Sequence, residues 1–248
     1  MHGPCVISTI ERPPPDLVAA LAEFDVATVH EAYGRRGLMQ PEIRPIAQGQ
    51  RACGPAVTSL NHAGDNLMVH AAMAVCQPGD VLVVATTASS THGMLGELMA
   101  TQCRARGIAA VVLDAGTRDS ARLREMGFAV WARAISAAGT VKATPGWVNV
   151  PVVCGGARVN PGDLMLGDDD GVVVIAREDA AEVVEAARAR VARERAARER
   201  YERGELSLDV NNFREVLERL GVAGAERLAR SDGSASGSPA QEFRRTSA

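Results

Sequence analysis

The sequence is poor in the features that mark several classes of protein. Only 3% of its 248 residues are aromatic, and neither charge predominates, since 27 basic residues face 30 acidic ones and the net charge is -3. A nucleic-acid-binding domain normally carries a strongly basic face. The charge balance therefore argues against a nucleic-acid partner and favours a small-molecule partner.

Long hydrophobic runs and a disulfide framework are also missing. No apolar segment approaches the roughly 18 residues of a membrane-spanning helix, so we predict no membrane association. The amino-terminal residues lack the basic start and the apolar run of a secretory signal. The five cysteines, an odd number, form no CxxC pair, which is typical of a reducing compartment. We expect a cytoplasmic protein.

The remaining composition, 46% apolar and 23% charged, is that of an ordinary globular protein. Apolar runs predict strands at 52–60, 80–86, 109–114, 129–135, 149–154 and 171–176. Helical patterns lie between three pairs of them, at 65–76, 97–106 and 120–126. This alternation predicts an α/β fold.

Both ends of the chain carry further helical patterns. Asp16 is a candidate N-cap of a first helix, and the spacing of Thr28 and Glu31 matches a capping box at the start of a second. A long charged helix is predicted over 179–205 and, being polar on most faces, is expected to project from the domain. The segment 226–248, rich in Ser, Gly and Ala, is predicted to be a disordered tail.

Neither the acidic run at 168–171 nor the spacing of the histidines indicates a metal site. The sequence Asp-Asp-Asp-Gly at 168–171 lies between two apolar runs, which favours a hairpin turn over a calcium loop. The histidines form no HxxxH or HExxH pair, so no zinc site is predicted. His70 is interpreted as a packing residue on a helix.

The segment 86–96 connects a predicted strand to a helix that begins near Glu97. The first backbone amides of such a helix have no intrahelical partner and attract a carboxylate or a phosphate. An ordinary strand-to-helix connection explains the segment equally well. Its GMLG sequence is not GxGxxG, so a dinucleotide site is poorly supported.

Arg118 and Asp119 follow the strand predicted at 109–114, at the edge where open α/β sheets bind ligands. Arg118 can bind a planar carboxylate through two parallel hydrogen bonds, and Asp119 can bind a hard divalent cation. The alternative interpretation makes Asp119 a helix cap and Arg118 a surface cation. This loop by itself does not decide between them.

Gly96-Glu97, twenty further residues and then Arg118-Asp119 resemble the signature of the RraA-like class II pyruvate aldolases. The segments GDNLMVHAA, GMLGELMAT, VLDAGTRD, VNVPVVCGG, NPGDLMLGDDDGVVV and GELSLDV are similar to those of the aldolases for 4-hydroxy-4-methyl-2-oxoglutarate and 4-carboxy-4-hydroxy-2-oxoadipate. The resemblance runs from about residue 20 to 222. It implies one domain over 1–225, an αββα sandwich similar to the swivelling phosphohistidine-like domain, whose helix 179–205 crosses to a neighbouring subunit.

The resemblance also implies a reaction. A divalent cation, Mg²⁺ or Mn²⁺, assists retro-aldol cleavage of either substrate to pyruvate plus pyruvate or oxaloacetate, and oxaloacetate decarboxylation is expected as a side activity. Asp119 is expected to bind the metal, Arg118 to contact the C2 oxygen, and Glu97 to orient metal-bound water. The substrate carboxylate is expected at the backbone amides of Gly96, Glu97, Leu98 and Met99.

Members of the family form trimers or hexamers that share acidic residues between subunits, so a homo-oligomer is implied, with Glu194 and Glu31 as candidates. Glu194 also fits a solvated Arg/Glu helix, and Glu31 also fits the capping box, so neither role is fixed by the residues themselves. His92 departs from the family, which has an acidic residue at that position, and this bears on the distal substrate preference. The alternative function is that of a non-catalytic RraA-like regulator that binds a ribonuclease.

Overall fold

The computed structural model describes residues 3–228 and 230. The chain divides into two compact units, with the boundary between Arg188 and Ala189. Residues 229 and 231–248, most of the predicted tail, lie outside the described residues. Within the described part, no helix is both long and apolar enough to cross a membrane, and all five cysteines are free thiols.

The elements alternate much as the sequence predicts. The helices are α1 (Pro15–Leu21), α2 (Val26–Ala32), α3 (Leu67–Val75), α4 (Glu97–Ala105), α5 (Ser120–Met126), α6 (Ala180–Glu202), α7 (Ser207–Val210) and α8 (Phe213–Arg219). The strands are β1 (Cys5–Val6), β2 (Arg44–Pro45), β3 (Ala52–Asn61), β4 (Val81–Thr86), β5 (Gly93–Leu95), β6 (Ala110–Thr117), β7 (Ala129–Ile135), β8 (Trp147–Val148), β9 (Val152–Cys154), β10 (Ala157–Val159), β11 (Leu164–Asp168) and β12 (Gly171–Ile175).

The centre of the first unit is a sheet in which β3, β4, β6 and β7 run parallel in that order. Parallel neighbours need a crossover connection, and α3, α4 and α5 supply the three crossovers. The carboxyl ends of β4 and β6 therefore lie at one edge of the sheet. The loops that follow these two strands are the ones from which the sequence predicts a ligand site.

Strand β3 belongs to two layers. Residues 56–61 pair in parallel with β4, whereas residues 52–55 pair antiparallel with β11, which continues into β12. A Cβ at Gly54 would lie 2.1 Å from the carbonyl oxygen of Gly79, so only glycine admits this close approach. The resulting sheet has both parallel and antiparallel strands.

Successive side chains of β4 point to opposite faces of the sheet. Leu82 and Val84 pack into the core shared with α3, α4 and α5. Val81 and Val83 pack into a second core, shared with Met165 of the β11–β12 hairpin. Both faces of the central sheet are therefore buried, which explains its nearly continuous apolar sequence.

The far side of the β11–β12 hairpin completes the layering. Leu164 and Leu166 alternate with Met165 and pack against α1, α2 and the first turns of α6. The order of layers is helix, sheet, sheet, helix, so the predicted αββα architecture is confirmed. The likeness to the swivelling phosphohistidine-like domain stays a prediction.

The predicted capping box is wrong. Helix α2 begins at Val26, two residues before Thr28, and its N-cap position is Asp25. Glu31 therefore lies in the last turn, where its carboxylate accepts a hydrogen bond from Nε of Arg35 at 3.1 Å. The helix starts early because the backbone amide of Val26 donates to the carboxylate of Asp168, a tertiary contact that sequence spacing does not reveal.

The predicted N-cap of α1 is also wrong, because Pro14 occupies that position and Asp16 lies inside the first turn. Pro15 starts the helix because proline has no backbone amide donor and the first helical position needs none.

The hairpin predicted at 168–171 is confirmed, since Asp168 pairs with Gly171 across a two-residue turn. Helix α6, predicted over 179–205, follows a short 3-10 turn and spans Ala180–Glu202.

Candidate active site

A cavity of about 540 Å³ opens at the carboxyl edge of the central sheet. Three segments form it: the end of β5 with the start of α4, the loop after β6, and a wall made by α3 and the loop 139–142. The residues that line it are Asn66, His70, Gly93, Met94, Gly96, Glu97, Leu98, Met99, Arg118, Asp119, Gly139, Thr140 and Lys142.

The short strand β5, which lies inside the segment predicted as a loop, brings the two halves of the signature together. Its Leu95 pairs with Thr117 at the end of β6. The carbonyl oxygen of Leu95 accepts hydrogen bonds from the amide of Arg118 at 2.9 Å and from the hydroxyl of Thr117 at 3.0 Å. Gly96 and Glu97 are thereby fixed beside Arg118 and Asp119.

Asp119 occupies the N-cap position of α5, but its carboxylate does not cap the helix. It has a left-handed backbone with φ of +56°, and its side chain makes no capping bond to α5. Its Oδ2 instead accepts a hydrogen bond from the amide of Glu97 at 3.0 Å, and Nε of Arg118 lies 3.6 Å from the same oxygen. A left-handed non-glycine residue costs on the order of 1–3 kcal/mol and is typical of functional sites. The interpretation of Asp119 as a helix cap therefore holds for its backbone position and not for its carboxylate, which bonds to Glu97.

Gly96 is the position where the two loops come closest. A Cβ there would lie 2.4 Å from Oδ2 of Asp119 and 3.1 Å from Cγ and Nε of Arg118. No real Cβ tolerates the first of these distances. The backbone of Gly96 is extended, so its need for glycine comes from this contact and not from its dihedral angles.

Arg118 and Asp119 remain accessible to a ligand, since their side chains are 48% and 42% exposed. The amides of Leu98 and Met99 lie in the first turn of α4, where no earlier helical carbonyl accepts them. Such amides favour negative charge. One side of the cavity thus offers a guanidinium and backbone donors to an anion, next to an acceptor for a cation.

Asp65 holds the loop 139–142, which forms the wall of the cavity across from Arg118 and Asp119, through the two residues that follow it. Its side chain is buried, and its Oδ2 accepts hydrogen bonds from the amides of Ala143 at 2.8 Å and Thr144 at 2.7 Å, while Oδ1 accepts from Leu67 at 2.9 Å. Burial raises the pKa of the Asp65 carboxyl, but these three amides outweigh that effect and hold its pKa below the ordinary value.

His70, interpreted from the sequence as a packing residue, lines the cavity from α3. Its Nε2 is buried and has no hydrogen-bond partner among residues 3–228 and 230. Burial and the charge of Lys142 both lower its pKa below the ordinary value, which keeps the ring neutral near pH 7. The packing interpretation is therefore incomplete.

Sequence reasoning missed two residues of this site, Lys142 and Asp65. Lys142 lines the cavity and is the single lysine of the chain, since the other 26 of the 27 basic residues are arginine. That asymmetry was a signal available in the composition. Asp65 lies within the segment GDNLMVHAA, but no local pattern indicates that its partners are 78 and 79 residues away.

The three remaining candidates lie elsewhere. Glu31 is on α2, and Glu194 is on α6 in the second unit, where it pairs with Arg190 at 2.8 Å. Their proposed contribution to a neighbouring subunit stays a prediction. His92 lies just before β5, and its Nδ1 is 3.2 Å from the hydroxyl of Ser90.

The cavity offers carboxylate oxygens, the kind of ligand that a hard cation prefers. Within the described residues, no three acidic, His or Cys side chains are grouped closely enough to enclose a metal ion. The cavity does offer Asp119, half exposed, with Glu97 next to it. Mg²⁺ commonly binds through one or two carboxylates while it keeps several waters and takes further oxygens from the substrate.

The chain is similar to known proteins in sequence and in fold. The RraA-like family model, described as Aldolase/RraA, matches residues 25–174. A protein of Halalkalibacterium halodurans named "Putative 4-hydroxy-4-methyl-2-oxoglutarate aldolase" is 34% identical over 177 residues, which are 71% of this chain and 84% of that protein.

Two crystal structures are similar in fold. An uncharacterized protein from Pseudomonas syringae superposes with a TM-score of 0.70 at 26% identity, over 82% of this chain and 100% of that one. Streptomyces coelicolor RraAS2, described as an unusual member of the RNase ES inhibitor RraA protein family, gives a TM-score of 0.68 at 31% identity, over 76% and 100%. The family model covers more than half of the sequence, and the chain therefore belongs to the RraA-like (Aldolase/RraA) family.

Proposed function

We propose that the protein is a class II aldolase, dependent on Mg²⁺ or Mn²⁺, that cleaves 4-hydroxy-4-methyl-2-oxoglutarate, 4-carboxy-4-hydroxy-2-oxoadipate or both. The products are pyruvate plus pyruvate or oxaloacetate. The observation that carries the proposal is the hydrogen bond from the amide of Glu97 to Asp119, which unites the two halves of the signature in one open cavity beside Arg118.

The chemistry of the cleavage matches these groups. The C4 hydroxyl loses its proton and becomes the carbonyl of the second product as the C3–C4 bond breaks. The electron pair left on C3 delocalises onto the C2 oxygen as the enolate of pyruvate, and a proton then adds to C3. The site must hold the C1 carboxylate and stabilise the charge on the C2 oxygen. Arg118 supplies a forked donor at this point, and the amides of Gly96, Leu98 and Met99 receive the carboxylate. The amide of Glu97, also expected to bind the carboxylate, donates to Asp119 instead.

In this proposal Asp119 would hold the divalent cation, and Glu97 would orient the water molecules bound to it. When bound, the cation supplies Lewis-acid stabilisation of the negative charge that develops on the C2 oxygen. Gly96 allows Asp119 and Arg118 to lie against the start of α4, so the carboxylate that would hold the cation, the guanidinium and the backbone amides all face one cavity.

The same arrangement supports a second reaction. Oxaloacetate carries the same C1 carboxylate and C2 oxo group, and loss of carbon dioxide from it also leaves the electron pair on C3. Oxaloacetate decarboxylation is therefore proposed as a side activity. It needs no group beyond those already assigned to the aldol cleavage.

We also propose that the working unit is a homo-oligomer, a trimer or a hexamer, in which a second copy contributes Glu194 or Glu31 near the cavity. Light scattering gives the mass of the purified protein in solution. The substitutions Glu194→Gln and Glu31→Gln then identify which of the two carboxylates affects turnover. A fully active monomer would contradict this arrangement.

The function is tested by pyruvate release from the two 4-hydroxy acids, with chelator-treated protein and with added Mg²⁺ or Mn²⁺. Metal-dependent release of pyruvate supports the proposal and ranks the substrates. No release from either acid, or from oxaloacetate, with any metal would overturn it.

The second candidate is a regulator that binds a ribonuclease. The similarity to Streptomyces coelicolor RraAS2 favours it, because that protein is described within the RNase ES inhibitor family. A regulator of this kind needs no intact Glu97, Arg118 and Asp119. Ribonuclease binding by a protein that releases no pyruvate would support this candidate over the aldolase.

A further inference from the structure

A second cleft, of about 330 Å³, opens in the first unit between the turn that follows α2 and strand β10. It has no lining residue in common with the candidate active site. Its volume lies at the lower end of the range for small-molecule sites. Two arginines, Arg36 and Arg158, line it from different segments of the chain.

The turn that carries Arg36 is strained and held in place. Arg35 has a left-handed backbone with φ of +60°, which is unfavourable for a residue other than glycine and typical of functional sites. Gly37 lies so close to β12 that a Cβ there would overlap the carbonyl oxygen of Val174. The amide of Val174 also donates to the carbonyl oxygen of Gly37 at 2.9 Å. Arg36 is therefore presented from a backbone that is fixed before any ligand binds.

The guanidinium of Arg36 is oriented without being neutralised. Its Nε donates to the carbonyl oxygen of Tyr33 at 3.1 Å, and its Cζ lies 4.2 Å from the centroid of the Tyr33 ring. Its Nη2 is 3.9 Å from the carboxylate of Asp179, beyond hydrogen-bonding distance, and that carboxylate accepts a hydrogen bond from the hydroxyl of Tyr33 at 2.7 Å. A guanidinium stacked in this way can still direct its terminal N–H groups at an anion.

Arg158 supplies the second guanidinium, from β10. Its side chain is exposed, and its Nε donates to the side-chain oxygen of Asn160 at 3.2 Å. Among residues 3–228 and 230, no carboxylate forms an ion pair with it. The acidic residue that lines the cleft, Asp163, is buried, and its Oδ2 accepts hydrogen bonds from the backbone and side-chain nitrogens of Asn160 at 2.8 and 3.1 Å. The nearby carboxylates are thus engaged by other groups.

Apolar side chains contribute much of the remaining lining. Leu38 is 44% exposed, and Ala157 and Val174 are buried beneath the surface of the cleft. A ligand with an apolar body would cover Leu38 while its acidic groups contact the guanidiniums. Removal of this apolar surface from water adds to the binding free energy.

We infer that the cleft is a second ligand site, separate from the active site, for a small molecule with two carboxylates joined by an apolar spacer. A guanidinium binds a carboxylate through two parallel hydrogen bonds, so two guanidiniums accommodate two carboxylates. One carboxylate pairs with Arg36, the other pairs with Arg158, and the spacer lies on Leu38. This inference does not depend on the proposed function.

The test is a ratio of affinities. Dissociation constants of benzoate and of phthalate, isophthalate and terephthalate are measured by ligand-observed NMR titration of the metal-loaded protein. The three dicarboxylates differ in the separation of their carboxylates, and benzoate carries one carboxylate on the same ring. At least one dicarboxylate should bind about fivefold more tightly than benzoate, the value of one exposed ion pair. This ratio should fall to about 1 in Arg36→Met and in Arg158→Met.

The matched control is Arg35→Met. Arg35 lies in the same turn and pairs with Glu31 at 3.1 Å, but it does not line the cleft, so its replacement changes the net charge equally and should keep the native ratio. Arg118→Met removes a cation from the active site and should also keep that ratio. Thermal unfolding shows whether each variant is folded, and the exposure of Arg36 and Arg158 favours retention of the fold.

Equal affinities for benzoate and all three dicarboxylates would overturn the inference, and so would a native ratio in folded Arg36→Met and Arg158→Met. Loss of the ratio in Arg118→Met would place the ligand in the active site and overturn the inference as well. None of these results depends on pyruvate release, so failure of the aldolase proposal would leave the second site standing.

Discussion

The substitution Gly96→Ala tests the site through a single carbon atom. The added Cβ would lie 2.4 Å from Oδ2 of Asp119, about 1 Å closer than ordinary contact, so the carboxylate must move by about that distance or lose its bond to Glu97. A displacement of about 1 Å in a catalytic group costs about 100-fold. We expect kcat/KM for pyruvate release to fall about 100-fold at saturating metal.

The stability of the Gly96→Ala protein should change little, by about 1 kcal/mol, because the backbone of Gly96 is extended and the change replaces one helix N-cap by a poorer one. Gly127→Ala is the matched control. Gly127 ends the helix that Asp119 begins, has φ of +65° and has open space around it, so alanine there costs about 1–2 kcal/mol without touching the cavity. If Gly96→Ala keeps native kcat/KM while folded, the close approach is irrelevant to catalysis.

Three further substitutions address single roles. Asp119→Asn should remove most activity and raise the metal concentration needed for half-maximal rate, and ordinary metal dependence with near-native turnover would disprove the assignment. Arg118→Lys keeps the charge but loses the forked donor, so kcat/KM should fall about 100-fold, and kinetics equal to the native values would contradict this. Asp65→Asn should lower the free energy of unfolding by about 1–3 kcal/mol near neutral pH. The pKa of Asp65 is lowered from 3.8, so its contribution is complete above that pH and is lost as the pH falls through the lower folded value. Denaturant unfolding at several pH values should show the two proteins converging in acid, and a constant difference would refute the role.

Local patterns predicted most of the elements because each strand and helix is specified by its own periodicity. The apolar runs of β4 and β6 and the turn at 168–171 needed no knowledge of distant residues. The errors came where a distant group decided the outcome. Helix α2 begins at Val26 because Asp168, 142 residues away, accepts its amide, and β5 exists because Thr117 and Arg118 hold Leu95.

The sequence by itself determined the α/β class, the family signature and the candidates Gly96, Glu97, Arg118 and Asp119, because these depend on residue type and spacing. The tertiary structure alone showed that the carboxylate of Asp119 bonds to the amide of Glu97 and not to its own helix, since this hydrogen bond spans 22 residues. It also placed His70 and Lys142 on one wall of the cavity, where the carboxylate of Asp65 holds the loop that carries Lys142. Contacts between segments far apart in the chain depend on how layers pack, and no local pattern encodes them.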